Sequence, residues 1–376
     1  MNVLAITSLF PTPIDPQAGR FNLAQLSEVA ASDGVSVLVA IRWPLFLKRG
    51  GKNRETVSGG TLKIVPTPYL YPPGLAYGWH GHFFWASIRG QVRKLARETR
   101  FDVVYGMFAY PDGWAAAQAA QELGVPLVLK VHGSDIHRLR HDRSRRYRLS
   151  EALGRAKRIV AVSEQLAGEV REIAPGITVR VVRNGVDHSA FPVGSKEEAR
   201  EKLGFPRDQP VVLFVGRMEP VKGADLLPEI AGSVKHPVRW VLIGLGSEAS
   251  RIVSRMPDGF TRWIPGVPHD RIGDYYRAAD LVLIPSRREG IPNSLLEALA
   301  SDRPVVASAV GGIPEILTDA GGGRLVASME PDSFAHAIDD LLTHPPEKGR
   351  AAGMVSMVRW ETSGRELRSV LAEAIQ

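Results

Sequence analysis

Asp280-Leu-Val-Leu-Ile-Pro-Ser-Arg-Arg-Glu-Gly-Ile-Pro-Asn-Ser-Leu-Leu-Glu-Ala-Leu299 changes its period part-way along. The unbroken apolar run at its start reads as a buried strand that ends at Pro285. A loop then carries Glu289 and Gly290, and a helix starts near Pro292 or Asn293. Proline is favoured in a first helical turn, and Asn or Ser at its cap. The N–H groups of that turn, with the helix dipole behind them, form an anion site. Glu289 precedes the turn and Glu297 lies one turn further in. One carboxylate thus addresses hydroxyls on one side of a bound phosphate, and the other those on the far side.

The same strand-to-loop-to-helix step recurs on both sides. In the second half it appears at Pro210–Gly216, Arg239–Gly244 and Arg303–Ser308. In the first half apolar strands are predicted at Val3–Ser8, Val35–Ile41, Asp102–Gly106, Pro126–Val131 and Arg158–Ser163, with helical spacing after Phe21 and from Trp114 to Leu123. Continuous apolar strands alternating with helices indicate parallel sheets covered on both faces. The pattern predicts an α/β protein of two Rossmann-like domains facing across a cleft. Residues 1–187 form the first and 188–356 the second. Phe191–Pro210, rich in charge, Gly and Pro, reads as a linker and domain entry. A helix over 357–376, apolar at Leu367, Val370, Leu371 and Ala374, is expected to return to the first domain.

Length and composition agree. At 376 residues the chain exceeds what one hydrophobic core usually organises. It contains no cysteine, which excludes disulfides, thiolate nucleophiles and iron–sulfur clusters. The net charge of +7 is uneven: residues 1–187 hold 25 Lys+Arg against 15 Asp+Glu, a balance of +10, and the remainder 22 against 25, a balance of −3. An excess confined to one half gives no support for nucleic acid as a partner. It peaks over His137–Arg158, where nine Lys/Arg face only Asp142 and Glu151. That is either a solvated helix surface or one drawn to anionic lipid or a phosphate-bearing acceptor. Trp43–Arg49 and Trp79–Trp85 set aromatic residues beside basic ones, as core packing or an interfacial surface requires. The opening residues have no positive n-region and reach Pro11 too early for a signal peptide. No stretch approaches the roughly 20 apolar residues of a membrane span. A cytoplasmic location, at most peripheral to an anionic membrane, is expected.

Glu289 and Glu297, eight positions apart, with Gly290, Pro292, Asn293 and Ala298, resemble the E-x7-E signature of family 4 retaining glycosyltransferases. Pro304–Glu315, Phe108–Gly113, His132–Asp135, Val162–Glu164, Asn184–Asp187 and Gly216–Arg217 with Lys222–Gly223 are similar to that family in order and interval. The general pattern resembles enzymes of cell-envelope polysaccharide assembly, including the teichuronic-acid type. The resemblance implies a GT-B fold and front-face, metal-independent transfer of a hexose-type sugar with retention. A UDP-sugar is the first choice of donor and GDP-mannose the second; the acceptor is a polysaccharide or a lipid-linked saccharide. It implies that Arg217 and Lys222 neutralise the donor diphosphate, that Glu297 binds the ribose hydroxyls and that Glu289 contacts the donor sugar. Backbone amides over Gly290, Ile291, Asn293, Ser294 and Leu295 hold sugar and phosphate. His132 faces the donor sugar, Gly19 lets backbone approach the β-phosphate, and Val267 lies where the base is selected. No cofactor or metal is expected.

A non-catalytic binding protein and a nucleotide-sugar epimerase are the rival functions. Gly244-Leu-Gly-Ser-Glu-Ala249 matches a dinucleotide fingerprint, but its acidic partner is poorly placed. Asp302 stands where the family usually has glycine, and Asp tolerates a positive φ better than most residues.

Overall fold

The computed structural model describes residues 1–12, 15–42, 57–59, 62–72, 77–137, 143–319 and 321–376. The predicted aromatic segment Trp43–Arg49 and residues 138–142 of the basic segment lie outside them. The chain divides into two compact units, Met1–Gly185 with Trp360–Gln376, and Val186–Arg359.

The first unit is built on strands β1 (Asn2–Thr7), β2 (Gly34–Arg42), β3 (Val57–Gly59), β4 (Leu62–Tyr69), β5 (Val103–Gly106), β6 (Leu127–Val131), β7 (Arg158–Ala161) and β8 (Val179–Val181), in the order β3-β4-β2-β1-β5-β6-β7-β8. Among the described residues only the β3–β4 pairing is antiparallel. Val3 pairs with Val35 on one side and Val103 on the other, so β1 is an interior strand, and Val3 to Ile6, which alternate between its two faces, are fully buried. Two apolar layers result, one around Leu4, Ile6 and Leu129 and the other around Val3, Ala5 and Val128. The C-terminal helix Trp360–Ile375 completes the second layer with Leu367, Val370, Leu371 and Ala374. It lies close against the helix Arg20–Ala30: a Cβ on Gly364 would stand 2.2 Å from Glu28 Cβ.

A buried polar chain fastens the same helices. Lys130 Nζ, fully enclosed, donates to Gln25 Oε1 at 2.7 Å and Asn184 Oδ1 at 3.0 Å. Gln25 Nε2 donates to Ser363 Oγ at 2.7 Å, and that hydroxyl to the Arg183 carbonyl at 2.6 Å. Burial without a carboxylate pulls the Lys130 ammonium down to about 7.

The second unit carries β9 (Val211–Val215), β10 (Arg239–Ile243), β11 (Thr261–Ile264), β12 (Leu281–Ile284), β13 (Val305–Ser308) and β14 (Gly323–Val326), all parallel, in the order β11-β10-β9-β12-β13-β14. The chain winds outward from β9 to one edge, then returns beside β9 at β12 and winds to the other. Ligands of open parallel sheets bind beyond the carboxyl ends of the two strands where this direction reverses. Those are β9, leading to Arg217, and β12, leading to Glu289.

Phe191–Pro210 is part of this unit and not a linker. Phe191 is buried against Tyr276, ring centroids 5.6 Å apart, and the helix Lys196–Leu203 starts on a Ser195 cap. At the two crossings Val186 and Arg359 form a parallel bridge, so the ends of the second unit lie side by side.

Candidate active site

Lys222 and Glu289 are in direct contact: Lys222 Nζ donates to Glu289 Oε1 at 2.6 Å. The same oxygen accepts from Ser286 Oγ at 2.7 Å. Ser286 is itself fixed by Ser308, whose hydroxyl donates to its carbonyl. The Glu289 side chain is 8% exposed, so the ion pair is poorly screened. The backbone makes this approach possible. Gly223, at φ 66°, follows Lys222, and a Cβ there would stand 1.8 Å from the Pro285 carbonyl oxygen.

Arg217 does not join the pair. Its Nη2 bonds Glu219 Oε2 at 2.8 Å and its side chain is 66% exposed, at the carboxyl end of β9.

The helix Asn293–Ala300 begins after an extended Pro292 (ψ 133°) with no side-chain cap. Gly290 and Ile291 are buried ahead of it, and Asn293 and Ser294 are half-buried in its first turn. The Leu295 amide donates to the Pro292 carbonyl at 3.1 Å and the Leu295 side chain is in the core. Glu297 Oε2 accepts from Tyr276 OH at 2.7 Å. Burial raises Glu297 to about 7, and the tyrosine bond acts against that rise. Val267, after β11, is partly buried against the core that holds Ile272 and Tyr276.

The fingerprint-like glycines have a packing explanation. A Cβ on Gly244 would meet the Gly216 carbonyl oxygen at 1.8 Å, and one on Gly246 the Met218 oxygen at 2.3 Å. They allow the loop after β10 to lie on the loop after β9, with Met218 N donating to the Leu245 carbonyl at 2.9 Å.

In the first unit, Gly19 stands before the helix Arg20–Ala30 at φ 60°, and a Cβ on it would be 2.3 Å from the Leu9 carbonyl oxygen. His132 follows β6 between Phe108, ring centroids 4.6 Å apart, and Phe21 at 5.1 Å. Its Nε2 is shut off from solvent with no hydrogen-bond partner among the described residues. Burial, followed by the charge of Lys130, holds the ring well below the usual imidazole range, against a bond to the Met107 backbone. The imidazole is therefore neutral at physiological pH. Asp135 fixes its loop: Oδ1 accepts from the amides of His132 and Gly133, both at 3.0 Å, and Oδ2 from Ala109 N at 3.0 Å.

Sequence reasoning missed Tyr276, Ser286 and the two phenylalanines as parts of these sites. Tyr276 left a signal as an apolar-face position in a helical period, and Phe108 as the first residue of the family-like segment Phe108–Gly113. Ser286 and the packing of Phe21 on His132 are recognisable only once the loops are placed.

With this geometry in view, the relatives are informative. The chain matches the glycosyltransferase family 4 description over residues 23–190 and the glycosyl transferases group 1 description over residues 195–353. It is 30% identical over 333 residues to a Bacillus subtilis protein assigned as a teichuronic acid biosynthesis glycosyltransferase, covering 84% of this chain and 83% of that one. This chain belongs to the family 4 glycosyltransferases. The D-inositol 3-phosphate glycosyltransferase of Xylanimonas cellulosilytica is 32% identical over 321 residues, 77% of this chain and 76% of its own. Among solved structures, sucrose-phosphate synthase from Thermosynechococcus elongatus superposes with a TM-score of 0.84 at 19% identity, over 99% of both chains. The Anabaena protein HepE, solved with UDP and glucose, gives 0.77 at 17% identity, over 99% of this chain and 100% of that one. These establish the GT-B fold and a glycosyltransferase with two parallel-sheet α/β units. No helix among the described residues is long and apolar enough to cross a membrane.

Proposed function

We infer that this glycosyltransferase moves a hexose-type sugar from a UDP-sugar, with GDP-mannose as second choice, to a polysaccharide or lipid-linked saccharide of the cell envelope. The observation that carries this reading is the Lys222–Glu289 contact at the reversal of the second sheet. A cation for the diphosphate and a carboxylate for sugar hydroxyls are adjacent there, beside a helix start suited to phosphate. The second unit holds the donor and the first the acceptor. Arg217 turns from Glu219 to the diphosphate, and Glu297 takes the ribose hydroxyls. Gly290, Ile291, Asn293, Ser294 and Leu295 hold sugar and phosphate, and Val267 lies at the base. Gly19 admits the β-phosphate and neutral His132 contacts the donor sugar. The UDP and glucose bound by HepE support the choice of donor.

Transfer proceeds with retention and without a metal, since cations and amides stabilise the departing charge. The bond from the anomeric carbon to the diphosphate oxygen breaks as one to the acceptor oxygen forms on the same face. The acceptor proton passes to the leaving phosphate. Lys222→Ala and Glu297→Ala should each weaken UDP binding by about 10–100-fold, the scale of a hydrogen bond to a charged group. Calorimetry returning wild-type affinity for both variants would remove the assignment. Activity is expected to persist in chelator, and the product anomer to match the donor's.

A further inference from the structure

We propose that Arg287 is a positioning residue that sets Lys222 on Glu289 by clamping the loop on both sides of that lysine. The proposal rests on the donor-site reading of Lys222. Arg287 lies two residues before Glu289, yet its hydrogen bonds among the described residues reach the other loop. Its amide donates to the Val221 carbonyl at 3.0 Å. Its Nη1 donates to the Pro220 carbonyl at 2.6 Å and to Asp225 Oδ1 at 2.6 Å, and Nη2 to Asp225 Oδ2 at 2.9 Å. Lys222 sits between these anchors.

A half-exposed ion pair contributes little to stability by itself; here the side chains are 37% and 24% exposed. A planar fork does supply geometry, since two parallel bonds fix distance and angle together. Lysine alone is a point charge on a flexible four-carbon stem, and its ammonium occupies one place only if its backbone is fixed. Residues 220–225 have no regular strand or long helix to fix them, only two short helical turns meeting at Gly223. Arg287 supplies that fixing from the loop that bears the carboxylate, so the cation and Glu289 keep register as one body.

The clamp predicts coupling that a direct charge contact with the donor would not. Arg287→Ala and the isosteric Asp225→Asn should each lower UDP affinity by about fivefold and lower kcat more than they raise KM, with the thermal midpoint nearly unchanged. The double variant should lose no more than either single one. In a Lys222→Ala background, Arg287→Ala should change UDP affinity by less than about twofold. If Asp225→Asn leaves affinity and kcat intact, or if Arg287→Ala costs as much without Lys222 as with it, the clamp is wrong. A crystal structure of Arg287→Ala that keeps Lys222 Nζ on Glu289 overturns it whatever nucleotide binds. Wild-type UDP affinity in Lys222→Ala alone would instead sink the donor-site reading, so the two failures are distinguishable.

Discussion

Lys222 and Glu289 satisfy each other, so on the proposed donor-site reading binding exchanges that contact for two others. A nucleoside diphosphate takes the ammonium and gives the carboxylate nothing; a sugar nucleotide also offers it hydroxyls. Glu289→Gln should therefore tighten UDP by about 10-fold, the lower end of the worth of one charge-assisted bond, while reducing the preference for UDP-glucose over UDP. Calorimetry with both ligands reads the two effects, and equal losses for both would refute the exchange. Glu297 gives a pH signature. With its carboxyl at about 7 in the fold and about 4.5 in the unfolded chain, its contribution to stability is full below pH 4.5 and is lost as pH rises through 7. On the proposed assignment of Glu297 to the donor ribose, binding runs the other way, because the hydroxyls donate best to the ionised form. UDP affinity should rise from pH 6 to 8, and in Glu297→Gln titrations the slope should vanish. Both carboxylates were legible from their spacing. That one meets Lys222 and the other Tyr276 was not, since those contacts join residues 67 and 21 positions apart.

Among the elements, the strands with continuous apolar runs announced themselves, and the weak ones did not. Neither β11, with Arg262 in its middle, nor β14, which opens on Gly323 and Arg324, has enough apolar length to stand out. Each is an edge strand whose burial is supplied by one neighbour. Turn chemistry carried further. Asp302 takes φ 56°, the one non-glycine residue with positive φ among those described, and its carboxylate accepts from the amides of Gly349 at 2.8 Å and Ala352 at 3.1 Å. A glycine there would permit the turn but could not cap the helix Arg350–Met354. The Gly223 loop is the more sensitive element. Gly223→Ala adds a left-handed penalty and a clash with backbone, so a loss of about 2–4 kcal/mol is expected in denaturant unfolding, with weaker UDP binding. An unchanged midpoint would show that the loop relaxes freely.

For the whole molecule, charge is the feature that the fold leaves unused. Part of the basic segment is quenched locally: Arg148 bonds Glu151 at 2.9 Å, and Trp114 Nε1 shares that carboxylate. Of the aromatic segment, Phe84 is in the core while Trp79 is 58% exposed. An excess of +10 on residues 1–187 nonetheless remains. Such a surface is attracted to anionic headgroups over about one Debye length, ~10 Å at 0.1 M salt. The enzyme should co-float with phosphatidylglycerol vesicles at low salt, release at high salt and ignore neutral vesicles. Failure to float with anionic vesicles at low salt would end the membrane proposal.

The bridge between Val186 and Arg359 makes the second unit an insert with its ends abutting, spliced into a unit whose last helix comes from residues 360–375. On the ribosome, the insert has all its strands while its host still lacks Leu367, Val370 and Leu371. The host's second apolar layer closes only after residues 360–375 have been made. For evolution, adjacent ends mean that the insert is a cassette: exchanging it between relatives at 185/186 and 359/360 leaves the host's sheet uncut.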